Sequence, residues 1–132
     1  MARKSVFLII IVLGMILITS CSNSAANDQK MAIVEDFITL RNDKKWEEAA
    51  QYVAEDFIWE SPFGRLVGRE EWLSTLIDED GGRVYEDIQH MRVDGDMVIV
   101  EMIVTGPDFV SPAVAEVLVT NGEIQEFIVR GP

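Results

Sequence analysis

The residues best suited to chemistry are few and lie between residues 59 and 116. Residues 59–64 read Trp-Glu-Ser-Pro-Phe-Gly, so an acid, Glu60, and a hydroxyl, Ser61, stand directly before a proline. The only histidine is His90, and Glu116 is a carboxylate inside a late apolar run. Histidine exchanges protons near neutral pH, and a carboxylate is its usual partner in acid–base work. Glu116 with either His90 or Glu60 is therefore the acid–base site that the sequence offers.

Strand alternation limits what the stretch at residues 59–64 can do. Successive side chains of a strand point to opposite faces, so Glu60 is predicted to point away from the face that Trp59 and Ser61 share. A serine hydroxyl is a poor base near neutral pH unless a neighbouring group takes its proton. Glu60 reaches the face of Ser61 only if the turn at Pro62 distorts the strand. The stretch is thus typical of the rim of a pocket, with Trp59 and Phe63 as its apolar part.

His90 lies in a predicted strand, where alternation puts it on the face of Ile88 and Arg92. A single histidine on a strand is more often a surface group than a catalyst. One histidine among scattered carboxylates also lacks the spacing of a metal site, so no metal is predicted. No cofactor-binding motif was identified either.

The first twenty residues have the pattern of an export signal. Arg3 and Lys4 precede an apolar run at residues 6–18, and Ile-Thr-Ser-Cys follows at residues 18–21. A basic start, an apolar middle and small residues at the end are typical of a secretory signal peptide. The alternative is an uncleaved transmembrane anchor, for which this run is short, since a spanning helix needs roughly 20 apolar residues.

Cys21, the only cysteine of the chain, ends that pattern. Ile-Thr-Ser-Cys resembles a bacterial lipobox, whose cysteine is lipidated and becomes the new N-terminus. We therefore expect residues 1–20 to be removed, residues 21–27 to form a flexible tether, and residues 28–132 to form one domain. The domain would then be anchored to the cell membrane or the outer membrane and would face away from the cytoplasm.

The charge of the chain excludes one class of partner. The whole chain has 23 acidic and 11 basic residues, and removal of Arg3 and Lys4 leaves 9 basic residues and a net charge near −14. A surface of this sign repels nucleic acid, so no nucleic-acid partner is expected.

The hydrophobic period changes along the domain. Helical spacing predicts helices at residues 28–42, 45–53 and 68–77, and the first has an apolar face that includes Phe37 and Arg41. A short strand at 57–59 is predicted to end at Pro62 and Gly64. Period-two patterns then predict strands at 84–93, 97–105, 113–120 and 123–130, with hairpin turns at Asp94-Gly95 and Asn121-Gly122. Early helices followed by antiparallel strands indicate an α+β fold.

Several short sequence motifs also resemble those of a known superfamily. They are Phe37 and Asn42-Asp43 at the end of the first helix, residues 46–49 (Trp-Glu-Glu-Ala), residues 54–64, and residues 68–70 (Gly-Arg-Glu). Over about residues 29–130 the chain resembles the nuclear transport factor 2-like superfamily, especially its SnoaL-like branch. The resemblance implies a cone-like barrel of three N-terminal helices packed on a curved, mainly antiparallel sheet of four to six strands. Its relatives include ketosteroid isomerase, polyketide cyclases, dehydratases and many domains without chemistry.

The resemblance also implies roles that can be compared residue by residue. Ketosteroid isomerase uses an Asp base and two oxyanion donors. The position of the base corresponds to Ser61 and that of the tyrosine donor to Phe37, so both roles are missing here. The position of the second donor corresponds to Glu116, which keeps a carboxyl group. Steroid-isomerase chemistry is therefore not expected.

These observations predict a lipid-anchored, extracytoplasmic domain that binds a small apolar or amphipathic ligand in its cone, without identifiable catalysis. The expected lining of that pocket is Trp59, Ser61, Phe63, His90 and Glu116. The first alternative is an isomerase, dehydratase or cyclase that uses Glu116 with His90 or Glu60. The second is an interaction module that forms a homodimer through an exposed sheet face.

Overall fold

The computed structural model describes residues 24–79 and 84–131, so the predicted signal and Cys21 lie outside the described residues. The first helix, α1, covers residues 24–42 and is followed by the short helix α2, Trp46–Ala50. The third helix, α3, is Arg69–Glu79. Residues 24–27 were predicted to belong to the tether, but they are helical and extend α1 by four residues.

Within residues 24–79 and 84–131, six strands form one sheet. They are β1 (Val53–Ser61), β2 (Gly64–Val67), β3 (Tyr85–Asp94), β4 (Met97–Thr105), β5 (Val110–Thr120) and β6 (Glu123–Arg130). Their order across the sheet is β2-β1-β6-β5-β4-β3, and only β1 and β6 run parallel. No other described strand pairs with the outer edge of β2 or β3, so the curved sheet does not close on itself. The prediction of an α+β fold with a curved, mainly antiparallel sheet is confirmed.

The helices and one face of the sheet enclose a single core. Its largest fully buried side chains are aromatic and come from both layers: Phe37, Phe57, Trp72 and Phe127. The face of the sheet that points away from this core is called the outer sheet face below. It carries the alternate strand residues, such as Ile99, Glu116 and Ile128, which lie side by side on β4, β5 and β6.

Two predicted elements differ from the structure. Val53 was placed in the second helix, but α2 ends at Ala50 and Val53 opens β1, which is much longer than the predicted strand. The chain also does not leave the sheet at Pro62, because a two-residue turn returns it as β2, with Ser61 opposite Gly64. A strand of four residues has too short a pattern to be recognised from its period.

Both later hairpins turn where they were predicted. Gly95 and Gly122 have φ values of 63° and 75°, which a two-residue turn between right-twisted strands needs. Within the described ranges, no helix has the length and apolar character that crossing a membrane requires.

Candidate functional site

The interior between helices and sheet is walled by aromatic rings. Phe37 of α1 stacks on Trp72 of α3, with ring centroids 5.5 Å apart, and also meets Phe127 of β6 at 5.5 Å. Phe57 of β1 meets Phe37 at 6.1 Å and Trp72 at 5.4 Å, edge to face in both cases. Aromatic pairs at such separations stabilise a core beyond the area that they bury. These four rings therefore pack against one another inside the cone.

A buried ion pair adjoins the rings. Arg41, one helical turn after Phe37, places its Nη1 2.5 Å from Oε1 of Glu86 on β3, and the two side chains are only 8% and 5% exposed. The guanidinium carbon lies 5.5 Å from the Phe37 ring centroid and 5.4 Å from that of Phe127, which is cation–π distance. Charges are rarely this buried unless they are paired, because removal from water is costly.

Asn42, the last residue of α1, holds Glu86 from a second side. Its Nδ2 donates to the Glu86 carbonyl at 2.8 Å, and the Glu86 amide donates to its Oδ1 at 2.9 Å. These bonds fix the beginning of edge strand β3 to the end of α1. The charged pair therefore belongs to a rigid part of the fold.

Several polar atoms in this interior have no hydrogen-bond partner among the described residues. They are the indole nitrogens of Trp59 and Trp72, Nε and Nη1 of Arg41, and Oε2 of Glu86. Nη1 is close to Oε1 of Glu86, so that contact is an ion pair without hydrogen-bond geometry. Trp59 lies opposite Phe127 in the sheet register, which puts its ring on the core face. A buried polar group that makes no hydrogen bond costs about 1–3 kcal/mol, so a native interior rarely keeps several of them.

His90 was predicted to share a face of the sheet with Ile88 and Arg92, but in the structure it shares a face with Arg92 only. Ile88 pairs with Met102 and His90 with Glu101, so a β-bulge adds one residue between them. The extra residue moves His90 to the outer sheet face, while Ile88 stays on the core face. Its imidazole is 61% exposed, and Nδ1 lies 3.5 Å from a carboxylate oxygen of Glu101.

Glu116 also lies on the outer sheet face. Its Oε1 accepts a hydrogen bond from Nε of Arg130 at 3.1 Å, and its neighbours in register are Ile99 and Ile128. His90 stands two strands away, which is about 10 Å at the usual strand spacing. The structure therefore does not bring the predicted His90–Glu116 pair into hydrogen-bond contact, and neither residue lines the interior.

The remaining predicted residues lie around the β1–β2 turn. Glu60 is on the outer sheet face, opposite Arg65, and Trp59 is on the core face, as alternation predicts. The Ser61 hydroxyl accepts the amide proton of Phe63 at 3.1 Å, and the Phe63 side chain is 86% exposed. Ser61 and Phe63 line an open cleft of about 610 Å³ that also touches Arg130 at the end of β6.

This cleft is separate from the aromatic interior. Of the five residues predicted to share one pocket, only Ser61 and Phe63 line the cleft, and only Trp59 contributes to the interior. The cleft is shallow, and its residues are mostly exposed, so it lacks the enclosure that small-ligand sites usually have. In the described part of the chain, no three His, Cys, Asp or Glu side chains are grouped as metal ligands.

Arg41 and Glu86 were not among the predicted site residues. The sequence carries a signal for the first, because an arginine on the apolar face of a predicted helix must find a partner when that face is buried. The sequence carries little signal for Glu86, since it is 45 positions from Arg41 and strand alternation alone does not connect the two residues.

Solved structures support the fold. A protein of unknown function with the nuclear transport factor 2-like fold, from Cytophaga hutchinsonii, is 19% identical, with a TM-score of 0.70 over 78% of this chain and 89% of its own. A candidate ketosteroid isomerase from Kribbella flavida is 25% identical, with a TM-score of 0.70 over 80% and 79%. An epoxide hydrolase of the LEH-like type from Mycobacterium tuberculosis is 18% identical, with a TM-score of 0.68 over 81% of each chain.

No functionally curated protein matches the sequence at a significant level. A family model does match, and it spans residues 34–127, which include α1 from Val34 onward and almost the whole sheet. The chain therefore belongs to the family of SnoaL-like domains.

Proposed function

We propose that this protein is a lipid-anchored, exported domain that binds a small apolar or amphipathic ligand in its aromatic interior. The observation that carries the proposal is the set of buried polar atoms without partners on Arg41, Glu86, Trp59 and Trp72. They adjoin rings that would contact an apolar ligand body, while the polar atoms would bind its oxygen atoms. Small-ligand sites commonly combine apolar walls with a few such polar groups.

One of the similar structures supports a small ligand of this kind. It is 25% identical to this chain, and its name refers to an isomerase of ketosteroids, which are largely apolar molecules. Fold similarity does not transfer an activity, so this support concerns the ligand type.

The proposal includes no catalytic step. The predicted acid–base residues Glu116, His90 and Glu60 all lie on the outer sheet face, where water competes for each of them. A general base must reach the proton that it abstracts, in a site that holds the substrate. The geometry therefore favours binding over an enzyme that uses Glu116 with His90 or Glu60.

Native mass spectrometry of the domain purified from its own host tests the proposal. We expect a retained small molecule in the wild type and a weaker signal in Trp72→Phe, which keeps an aromatic ring but removes the buried N–H. Trp46→Phe is the matched control, because Trp46 on α2 is not among the residues with an unpartnered buried atom. If none of the three proteins retained a small molecule in its mass spectrum, the result would count against a ligand in the interior.

The anchoring part of the proposal rests on the sequence at residues 3–21. Stable attachment by lipid needs more than one acyl chain, since each buried methylene contributes about 0.8 kcal/mol. We expect the mature protein to begin at Cys21 and to exceed its peptide mass by the mass of the acyl chains. We also expect Cys21→Ala to leave the membrane fraction, and a wild-type chain of unmodified mass would refute the anchor.

Self-association is a second candidate function, favoured by the outer sheet face. Apolar side chains there are half-exposed and are not packed into the core: Ile58, Ile99, Ile103, Val114, Leu118 and Ile128. Charges of both signs surround them, including Arg65, Arg92, Glu101 and Glu116. Apolar positions ringed by mixed charges suit an interface between two copies, in which the same patch meets itself.

A further inference from the structure

The open cleft beside the β1–β2 turn is separate from the aromatic interior and takes no part in the proposed function. It has a volume of about 610 Å³ and is lined by residues 60–65 of the β1–β2 hairpin and by residues 128–131 at the end of β6. Its charged side chains are two arginines and one glutamate, so its lining is net positive in a chain whose net charge is −12. We propose that this cleft binds an exposed polypeptide segment in which a carboxylate lies next to an apolar side chain.

The two arginines supply the donors for a carboxylate. The Arg65 side chain is exposed and makes no hydrogen bond or ion pair with any described residue, although Glu60 is opposite it in the β1–β2 register. Arg130 binds Glu116 through Nε at 3.1 Å, and its Nη atoms make no hydrogen bond within the described residues. A guanidinium binds a carboxylate through two parallel N–H donors, and such charge-assisted hydrogen bonds are stronger than neutral ones. Both arginines therefore have donors available for an acidic partner.

An exposed aromatic pair provides the apolar part of this surface. The Phe63 side chain is 86% exposed, and its ring lies 6.2 Å from that of Phe109, directly before β5. The Phe109 ring packs on Gly106, where any side chain would collide with it, and the Gly106 amide donates to the Phe109 carbonyl at 2.9 Å. The Ser61 hydroxyl accepts the Phe63 amide proton at 3.1 Å. The exposed rings thus stand on backbone that hydrogen bonds fix, and aromatic and arginine side chains together are enriched at protein interfaces.

The openness and the charge of the cleft favour a polypeptide over other anionic partners. The cleft is shallow, so it does not enclose a small molecule as small-ligand sites do. An extended chain needs no enclosure, because its acidic side chain can bind an arginine while a backbone N–H donates to Glu60. The Glu60 carboxylate makes no hydrogen bond or ion pair of its own among the described residues. Polyanions, such as nucleic acid or an anionic bilayer, would also meet the acidic surface around the cleft and be repelled.

A peptide-display selection on the purified mature protein tests the proposal. The probe is a phage library of random peptides, offered to the wild type and to Arg65→Gln. We expect the wild type to enrich peptides in which aspartate or glutamate stands next to a large apolar residue. A synthetic peptide of the enriched sequence should bind Arg65→Gln roughly tenfold or more weakly in fluorescence polarisation, because a charge-assisted hydrogen bond is lost.

Matched variants separate the cleft from the rest of the surface. Arg92→Gln makes the same chemical change on the opposite edge strand, outside the cleft, and should keep the wild-type affinity. Phe63→Ser should also weaken binding of the synthetic peptide, whereas Ile77→Ser on α3 should not. Replacement of the acidic residue of the peptide by its amide should remove the difference in affinity between the wild type and Arg65→Gln.

Three results would overturn the proposal. The first is enrichment of basic peptides or of no sequence at all. The second is an enriched peptide that binds the wild type, Arg65→Gln and Phe63→Ser equally. The third is binding of Cys21→Ala to phosphatidylglycerol vesicles that is lost when Arg65→Gln is added, which would assign the cleft to a lipid headgroup. None of these results bears on a ligand in the aromatic interior, because Arg65 and Phe63 lie outside it.

Discussion

Arg41 in the last turn of α1 and Glu86 at the start of β3 form an ion pair between two elements that are 45 residues apart in the chain. Both side chains are almost fully buried, and Asn42 adds two hydrogen bonds to the same strand residue. The pair thus joins the end of a helix to an edge of the sheet and supplies the polar end of the candidate site. Its two roles can be separated by stability and binding measurements.

Removal of either Arg41 or Glu86 alone should lower the stability of the protein more than removal of both. Arg41→Met alone or Glu86→Leu alone leaves a buried charge without its counter-ion, and we expect each to lower the free energy of unfolding by about 3–5 kcal/mol. The double variant buries no unpaired charge and should recover a large part of this loss. Urea denaturation followed by circular dichroism measures all three.

The Lys30–Asp96 pair is the surface control for this experiment. Its N–O distance is 3.1 Å, within salt-bridge range, but its carboxylate side chain is 66% exposed. Exposed pairs contribute at most about 1 kcal/mol, so Lys30→Met should have a small effect. Equal losses for Arg41→Met and Lys30→Met, or a double variant no more stable than the single ones, would contradict the buried-pair argument.

Tyr52 should make the stability depend on alkaline pH. Desolvation by burial, and then the nearby Asp36 carboxylate, raise the pKa of the Tyr52 hydroxyl above its ordinary value of 10.0. That hydroxyl donates to Oδ2 of Asp36 at 3.3 Å. Because the folded state holds this proton more tightly, its contribution is fully present below about pH 10 and is lost as the pH rises through the folded-state pKa.

Urea titrations between pH 8 and pH 11 test the sign of this effect. The wild type should lose stability above about pH 10, and Tyr52→Phe should show a flatter profile there. Tyr85→Phe is the matched control, because Tyr85 is more than half exposed and should not change the profile. A Tyr52→Phe profile as steep as the wild type would refute the assignment.

If Cys21 carries the lipid anchor, the candidate site should face away from the membrane. Lys30, near the start of α1, donates to Gly95 O at 3.1 Å, so this end of the helix adjoins the β3–β4 turn. Residues 24–42 span about 28 Å at the helical rise, and Arg41 and Asn42 lie at the far end. A fluorophore on Asp94→Cys should be quenched by nitroxide lipids more strongly than one on Phe63→Cys.

The anchored protein in vesicles is needed for this measurement, since the acylated Cys21 does not react with the label. The same probes on the Cys21→Ala background should show no preferential quenching. Stronger quenching at Phe63 than at Asp94 would show that the β1–β2 turn, rather than the β3–β4 turn, lies next to the bilayer. Ligand binding does not enter this comparison.

A charge on the outer sheet face should disrupt self-association. Ile99 lies in the middle of that face, between Arg92 and Glu116 in the register, and each side chain would be buried twice in a symmetric dimer. Loss of two such contacts at about 1.5 kcal/mol each predicts that Ile99→Lys weakens a dimer by roughly 100-fold. Sedimentation velocity at several concentrations measures this change.

Ile77→Lys is the control for the same substitution elsewhere. Ile77 lies on α3 and is half exposed, but it belongs to the helical layer. Ile77→Lys should leave self-association unchanged, provided that Ile77→Lys and Ile99→Lys both keep the circular dichroism spectrum of the wild type. A wild type that sediments as a monomer at all concentrations would exclude this interface.

Periodicity and turn chemistry predicted most of the fold. The change from helical spacing to alternation gave the α+β class, and the glycine turns gave two of the hairpins, because both signals are local. The β1–β2 hairpin was missed since β2 has only four residues. The start of α1 was placed at residue 28, although residues 24–27 continue the same helix.

The candidate site was harder to predict, and His90 illustrates why. Strict alternation put it with Ile88, but the bulge before it shifts the register, and the position of a bulge depends on the partner strand. Glu60 was predicted to point away from the core, and it does so, since the register of β1 is regular between residues 58 and 60. A face assigned by alternation is therefore reliable only as long as the pairing is unbroken.

Local patterns in the chain were sufficient for the export signal hypothesis, the fold class and the turns, because each depends on neighbouring residues. The spacing of the first helix put Arg41 on its apolar face, although no partner was predicted for it. That Glu86 is this partner, and that His90 and Glu116 lie outside the interior, follow from strand order and register. These depend on contacts between distant segments, which pack against one another only when the whole chain has folded.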